Sequence, residues 1–150
     1  MEFTPLKLNI FLLLKLPSAY FTGVKVKQIS TQQCRVTVKH RWINQNPFSS
    51  MYFAVQAMAA ELTTGALVMY HIKNSGKKIS MLVANNKGGF TKKAKGRITF
   101  TCNEGHLIAN AIEKAIATGE GQTFWMKSIG VDEQGDKVSE MDFEWSIKVK

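Results

Sequence analysis

Residues 49–70, SSMYFAVQAMAAELTTGALVMY, read as one long helix. Met51, Phe53, Val55, Met58, Leu62, Leu67 and Met69 cannot share one narrow stripe at about 3.6 residues per turn. A helix that is apolar on nearly every side is either a membrane span or the buried centre of a domain. Gln56, Glu61, Thr63 and Thr64 interrupt the run, which leaves no stretch of about 18 apolar residues to cross a bilayer. A core helix wrapped by other structure is therefore expected, with one carboxylate, Glu61, embedded in it.

The flanks suggest what does the wrapping. Upstream, Thr4 to Leu16 has the pattern of a first helix stopped by Pro17. Phe21 to Lys27 is a short extended candidate. Cys34, Val36 and Val38 alternate with Arg35, Thr37 and Lys39, as in a strand with one covered face. Residues 41–50, RWINQNPFSS, form a turn-rich loop in which Asn46-Pro47 favours a turn and Ser49 or Ser50 can cap the helix.

Downstream, Asn74-Ser75-Gly76 marks a stop. Lys78 to Asn85 reads as a strand and Asn86 to Gly89 as a turn. Phe90, Ile98, Phe100 and Cys102 frame another strand around a basic bulge. Asn103 to Thr118 is helical in spacing and ends at Gly119. The clearest hairpin pairs Gln122 to Val131 with Val138 to Val149 around the loop DEQGD. In its second arm Met141, Phe143, Trp145, Ile147 and Val149 share one face. No repeat or low-complexity linker intervenes, so one domain over residues 1–150 is expected. The α+β class follows: a curved antiparallel β-sheet wrapped around a single long helix, which is the geometry of the hotdog fold.

Hydrophobic content of 45% with 21% charged residues places the chain among globular proteins rather than disordered ones. Cys34 and Cys102 form no CxxC pair and no disulfide framework. Two thiols in a chain of this size fit a reducing compartment, and a cytoplasmic location is the expectation. The apolar run near the N-terminus, KLNIFLLLKLPSAY, is broken by Lys15 and lacks the form of a signal peptide; an amphipathic packing helix suits it better. The net charge of +9 fits nucleic acid, an anionic membrane surface or a polyanionic small molecule such as a nucleotide-bearing cofactor.

The run NPFSSMYFAVQAMAAELTTG resembles the segment that opens and builds the central helix of hotdog-fold acyl-CoA thioesterases of the phenylacetyl-CoA type. That segment runs as an asparagine, a turn, a His-Gly-Gly triplet, then a helix carrying a catalytic acid four residues before a glycine. Asn46 matches the asparagine, and Glu61, four before Gly65, matches the acid. GFTKKAKGRITFT resembles the family's strand entering and leaving a basic turn. The resemblance covers most of the chain from Cys34 onward and points to a branch known as a domain of unknown function. One departure stands out: Tyr52, Phe53 and Ala54 occupy the His-Gly-Gly positions.

Several residues become candidates. Burial among apolar side chains disfavours a charged carboxylate, so the Glu61 pKa should rise toward neutrality, where it can act as a general base. The plainer reading is a buried glutamate bonded to backbone or to Arg35 or Arg41. Asn46 could orient the attacking water or hold the substrate carbonyl; a simple turn role is the alternative. Backbone N–H groups at Met51 to Phe53 could stabilise an oxyanion. Phe48, Met51, Tyr52 and Phe53 would line the acyl site. Lys92, Lys93, Lys95 and Arg97, with Lys87 nearby, could contact coenzyme A phosphates, as a similar turn does in the family; a solvated loop is the alternative. Tyr52 and Glu61 are nine residues apart, roughly 13 Å along a helix. Both can address one carbonyl only if a second subunit supplies one of them, and the resemblance likewise implies a site at a dimer interface.

His40, His71 and His106 lie far apart, with no HExxH or Cys/His cluster, so no metal is expected. No nucleophile elbow and no P-loop occur, and Gly88-Gly89 alone makes no phosphate cradle. The expected activity is hydrolysis of an acyl-CoA or other acyl thioester by a homodimer or dimer of dimers, with coenzyme A entering only as part of the substrate. A non-catalytic acyl-CoA or lipid-binding protein of the same fold is the alternative. Nucleic-acid binding is weakened because the lysines are not interleaved with exposed aromatics.

Overall fold

The computed structural model describes residues 2–150. Two short helices open the chain, α1 (Pro5–Lys15) and α2 (Pro17–Phe21), followed by strands β1 (Lys25–Ile29) and β2 (Cys34–Lys39). A 3-10 turn (Trp42–Asn44) leads to the long helix α3 (Phe53–Ser75). Strands β3 (Ile79–Phe90) and β4 (Arg97–Cys102), helix α4 (Gly105–Thr118) and the hairpin β5 (Gln122–Val131) and β6 (Lys137–Val149) complete it. The six strands form one antiparallel sheet in the order β1-β2-β4-β5-β6-β3.

Alternation decides which face of the sheet meets α3. Val36, Val38, Ile98, Phe100, Cys34 and Cys102 are buried on one side of β2 and β4, while Arg35, Lys39 and Arg97 point away. In β6, Met141, Phe143, Trp145 and Ile147 are buried, as the alternating pattern requires. Along α3, Val55, Ala59, Ala60 and the unbroken run Leu62–Val68 are buried, and α4 packs beside it through Ile108, Ile112 and Ala115. Two polar contacts fix the helix against the sheet. The Thr63 hydroxyl donates to Ser128 Oγ at 2.8 Å, and the Trp145 indole donates to Thr64 Oγ1 at 2.9 Å. Every partner in this set is buried, so each bond offsets a desolvation cost that apolar packing alone could not.

Four expectations need correction. The helix does not begin at Ser49 or Ser50; it begins at Phe53, with Tyr52 as an N-cap that makes no side-chain capping bond. Ser49 and Ser50 instead close a tight turn on Asn46, held by a bridge between Gln45 and Met51. Asn86 to Gly89 is not a turn: β3 runs through it to Phe90, paired with β6 from Ile79↔Val149 to Phe90↔Ser139, with a bulge at residues 83–85. The long alternating arm of β6 gives this Gly-Asn stretch a partner at every step, and pairing overrides local propensity. Phe90 therefore ends β3 and takes no part in β4. Phe21 lies in α2 rather than in a strand, because Pro17 ends one helix and starts the next at its first position.

The opening of α4 depends on close approach. A Cβ on Gly105 would overlap the Thr31 carbonyl oxygen and lie 2.7 Å from Gln32 Cα. Helix propensity favours alanine here by about 1 kcal/mol, but a clash with backbone cannot be relieved by a rotamer change. Gly105→Ala is expected to lower stability by about 1–3 kcal/mol, read as a fall in urea midpoint with unchanged slope. An unchanged or raised midpoint would contradict this packing.

Candidate active site

The turn before α3 presents the first part of the site. The Asn46 Oδ1 accepts from the backbone N–H groups of Phe48 (2.9 Å) and Ser50 (3.2 Å), while its Nδ2 donates to Ser50 Oγ (3.0 Å) and the Met51 carbonyl (3.3 Å). These bonds hold Ser49 at a φ of 60°. They also set the direction in which the chain enters the helix. Asn44, buried beneath, donates to the carbonyls of Thr22 and Lys39 and ties this loop to the β2 end of the sheet.

Above the turn lies a groove of about 590 Å³ lined by Asn46, Phe48, Met51, Tyr52, Phe53, Gln56, Phe90, Lys92 and Lys93, among others. Its walls are mostly apolar, and its aromatics are loosely covered: Phe48, Tyr52, Phe53 and Phe90 are all exposed. Tyr52 and Phe53 meet edge to face with centroids 5.1 Å apart, and Phe53 meets Phe90 at 6.3 Å.

Two polar features face this apolar space. The N–H groups of Met51 and Tyr52 are already spent, on the carbonyls of Ala94 (2.9 Å) and Asn44 (2.8 Å). Those of Phe53 and Ala54, the first two residues of α3, have no protein acceptor among the described residues. The oxyanion donors expected at Met51 to Phe53 therefore reduce to Phe53, with Ala54 next to it. The second feature is Gln56, 4% exposed, whose Oε1 is buried without a hydrogen-bond partner. A buried unpartnered amide is costly and rare, and this one borders a groove. In the sequence Gln56 stands out only as an interruption of an apolar run. A lone glutamine within the first turn and a half of a buried helix was the available signal.

Glu61 is elsewhere. It lies two turns further along α3 and borders a smaller cavity of about 230 Å³ with Lys15, Leu16, Pro17, Ser18, Ala19, Met58 and Leu62. Burial pushes its pKa up to about 7. Neither Arg35 nor Arg41 pairs with it, and among the described residues its carboxylate has no ion-pair or hydrogen-bond partner. Gly65 makes room for it: a Cβ there would stand 3.2 Å from Glu61 Oε1 and 3.1 Å from the Trp145 ring.

The basic stretch divides. Lys92 and Lys93 reach the groove, but Lys92 is held by Asp132 (2.7 Å) and Asp136 (2.8 Å), and Lys93 donates to the Phe48 carbonyl (3.2 Å). Lys87 sits over the Trp125 ring at 4.8 Å. Lys95 and Arg97 do not border the groove, and Arg97 opens onto the other face of the sheet. One chain thus gathers Asn46, Phe48, Met51, Tyr52, Phe53, Lys92 and Lys93, and leaves Glu61, Lys95 and Arg97 outside. Among the described residues no three His, Cys, Asp or Glu side chains form a group able to hold a metal, and no helix is long and apolar enough to cross a membrane.

A six-stranded antiparallel sheet around a central helix is the hotdog architecture. The chain belongs to the family described as Domain of unknown function (DUF4442), whose model matches residues 8–147. Among solved structures it is similar to a Pseudomonas aeruginosa protein of unknown function described as a probable thioesterase, at 21% identity, 98% of this chain and 97% of that chain covered, TM-score 0.80. It is also similar to a protein of unknown function from Chlorobaculum tepidum (14% identity, 96% and 93% covered, TM-score 0.82). A Haemophilus influenzae thioesterase is a third (12% identity, 99% and 93% covered, TM-score 0.76). No curated protein matches the chain by sequence.

The raised pKa of Glu61 has a consequence for stability. Because the folded state holds this proton more tightly than the unfolded state, the stabilisation is present in acid and is lost as pH rises from about 4.5 through about 7. Glu61→Gln keeps the neutral shape at every pH. Wild type should lose on the order of 1–3 kcal/mol of stability relative to Glu61→Gln between pH 5 and about 7.5, measured by urea titration. Parallel pH profiles would contradict the burial assigned to this carboxylate.

Proposed function

We propose that the protein hydrolyses an acyl thioester, with acyl-CoA as the substrate class, at a site shared between two copies of the chain. The observation that carries this reading is the poised, unpartnered Glu61 on the central helix of a fold held in common with thioesterases. A further support comes from spacing. Mutant structures of a Staphylococcus aureus thioesterase carry glutamine-to-alanine and glutamate-to-alanine changes fifteen positions apart, and Asn46 and Glu61 are likewise fifteen apart.

Two copies are required by distance. Phe53 and Glu61 are eight residues apart on one helix, about 12 Å, and border different cavities. The sheet offers a route to pairing. Its β1 edge is blunted by Asn9 of α1, which accepts from the Val26 N–H (2.8 Å) and donates to the Val26 carbonyl (3.0 Å). The β3 edge, twelve residues long, pairs with β6 on one side and has no strand on the other among the described residues. An open edge of that length is a template for a second strand. Phe90 at its end joins it to the exposed aromatics of the groove.

In this reading the acyl chain lies along Phe48, Met51, Tyr52, Phe53 and Phe90, and the thioester carbonyl points at the free Phe53 amide. Gln56 positions the carbonyl or the water, and Asn46 holds the turn that aims these donors. Glu61 of the opposing copy takes a proton from water as the oxygen attacks the carbonyl carbon. The tetrahedral oxyanion is held by the helix-start amide. Its collapse breaks the carbon–sulfur bond, and the proton returns from Glu61 to the departing thiolate, leaving a carboxylic acid and a thiol. With Phe53 and Ala54 where the related segment has glycines, approach to the amides is tighter; this favours the second reading, an acyl-CoA or lipid-binding protein that does not turn over.

A panel of short, long and aromatic acyl-CoAs, assayed by free-thiol release, separates the two. Turnover that falls about 10²–10⁴-fold in Glu61→Gln, with the fold intact by circular dichroism, is the expected result. Gln56→Leu, which fills the same space without the amide, should lower kcat while leaving stability equal or higher, since it removes an unsatisfied buried group. Saturable binding with no thiol release across the panel would leave the binding protein. Turnover unchanged in Glu61→Gln would refute the role given to that residue.

A further inference from the structure

A cluster of positive charge without a counter-charge among the described residues lies on the face of the sheet that turns away from α3. Lys25 and Lys27 on β1, Lys39 on β2, Arg41 just beyond it and Arg97 on β4 converge on one concave pocket of about 410 Å³. Register explains the convergence. Lys25 stands opposite Thr37, and Lys39 opposite Arg97, so four cations and a hydroxyl project from three adjacent strands on the same side. Arg41 completes the set. Its guanidinium lies over Gly23, where a Cβ would come within 2.6 Å of an Arg41 Nη and where φ is +97°. Only glycine suits that backbone and leaves that space.

No residue among those described neutralises this group. No carboxylate lines the pocket, and none of the five cations forms an ion pair among the described residues. Glu133 comes near the Arg97 backbone, accepting from its N–H at 2.7 Å, yet makes no ion pair with its guanidinium. The contrast with the stretch 87–93 is direct, because there Lys92 is held by two aspartates. Like charges placed together without counter-charge repel one another, and a bound anion relieves the repulsion. The pocket also has an aromatic wall. Tyr20 and Phe21 stand at its rim, 5.4 Å apart edge to face, and Phe21 is 60% exposed.

Clustered cations that include two guanidiniums, beside an exposed aromatic ring, make a site for a ligand with several phosphates and a planar base. We propose that this pocket binds a nucleoside polyphosphate, the phosphates on Lys25, Lys27, Lys39, Arg41 and Arg97 and the base against Phe21. The proposal does not depend on hydrolysis at the groove. Two sources carry this chemistry: a free nucleotide, or the nucleotide end of a coenzyme A thioester. Ala94 borders the groove, and Arg97, three residues further on, borders this pocket on the other face of the sheet, at most about 11 Å of chain away.

The test is calorimetric titration of the full chain with ADP, inorganic pyrophosphate and adenosine. ADP is expected to bind, more weakly as salt rises, and adenosine far less. Lys39→Gln and Arg97→Gln are both exposed substitutions that leave the fold alone, and each should weaken ADP by about tenfold or more. Phe21→Ser should weaken ADP by about tenfold and leave pyrophosphate unchanged. No ADP binding, or binding indifferent to both charge variants, overturns the proposal. So does equal affinity for ADP and pyrophosphate untouched by Phe21→Ser, and so does a single-stranded oligonucleotide that outcompetes ADP at equal phosphate concentration. Coenzyme A competing with ADP, with Lys39→Gln raising KM for the thioester, identifies the coenzyme as the source; this arm alone rests on the thioesterase reading. ADP and coenzyme A bound together identify a separate effector.

Discussion

A helix that is apolar on nearly every side has to be covered, and the rest of the chain is arranged by that requirement. The sheet covers one side of α3, α4 another, and the α1–α2 pair reaches a third, with Leu8 and Leu12 buried beneath it. Where cover runs out, chemistry becomes available. At the helix start the aromatics stay exposed and the first amides keep their hydrogens free. At Glu61 the cover is dense enough to raise a carboxylate pKa but supplies no counter-charge. The hydroxyls of Thr63 and Thr64, bonded to Ser128 and Trp145, set the rotation of the helix that gives each of these groups its direction.

The arrangement puts two kinds of polar group on one helix and separates them by about 12 Å. In the proposed reading a monomer carries two half-sites, each incomplete: donors without a base, and a base without donors. On that reading the separation, rather than any single residue, links catalysis to assembly. It also accounts for features with no evident use in one copy. The buried Gln56 Oε1 lacks a partner, the open β3 edge ends at an exposed Phe90, and the groove walls are mostly apolar.

Much of this was legible in the chain. The alternation of Met141, Phe143, Trp145 and Ile147 and the all-round apolarity of residues 49–70 imply a sheet around a helix, because no other arrangement buries both. Glu61 was legible because a single carboxylate in such a helix is conspicuous. What escaped was set by tertiary partners. Asn86 to Gly89 has turn composition, but a strand follows from the length of β6 opposite it. The cap at Ser49 or Ser50 failed because Asn46 claims those residues for its own turn. The cations of the outer face are spread over 73 residues of chain, from Lys25 to Arg97, and no window of sequence shows them as a group. The run at 87–97 is the densest positive charge in the sequence, yet Lys92 within it is neutralised by Asp132 and Asp136 from another loop.

The central claim is that one catalytic site is built from two copies, and subunit mixing tests it most directly. Glu61→Gln removes the base, and Phe53→Pro removes the helix-start donor at the first helical position, where proline is tolerated. Each variant alone should be inactive toward an acyl-CoA that wild type hydrolyses. If the two half-sites come from different copies, random exchange places one intact site in half of the dimers, and activity should return to about a quarter of wild type. Mixed protein as inactive as its components, with exchange verified by mass spectrometry of differently labelled chains, would contradict the shared site.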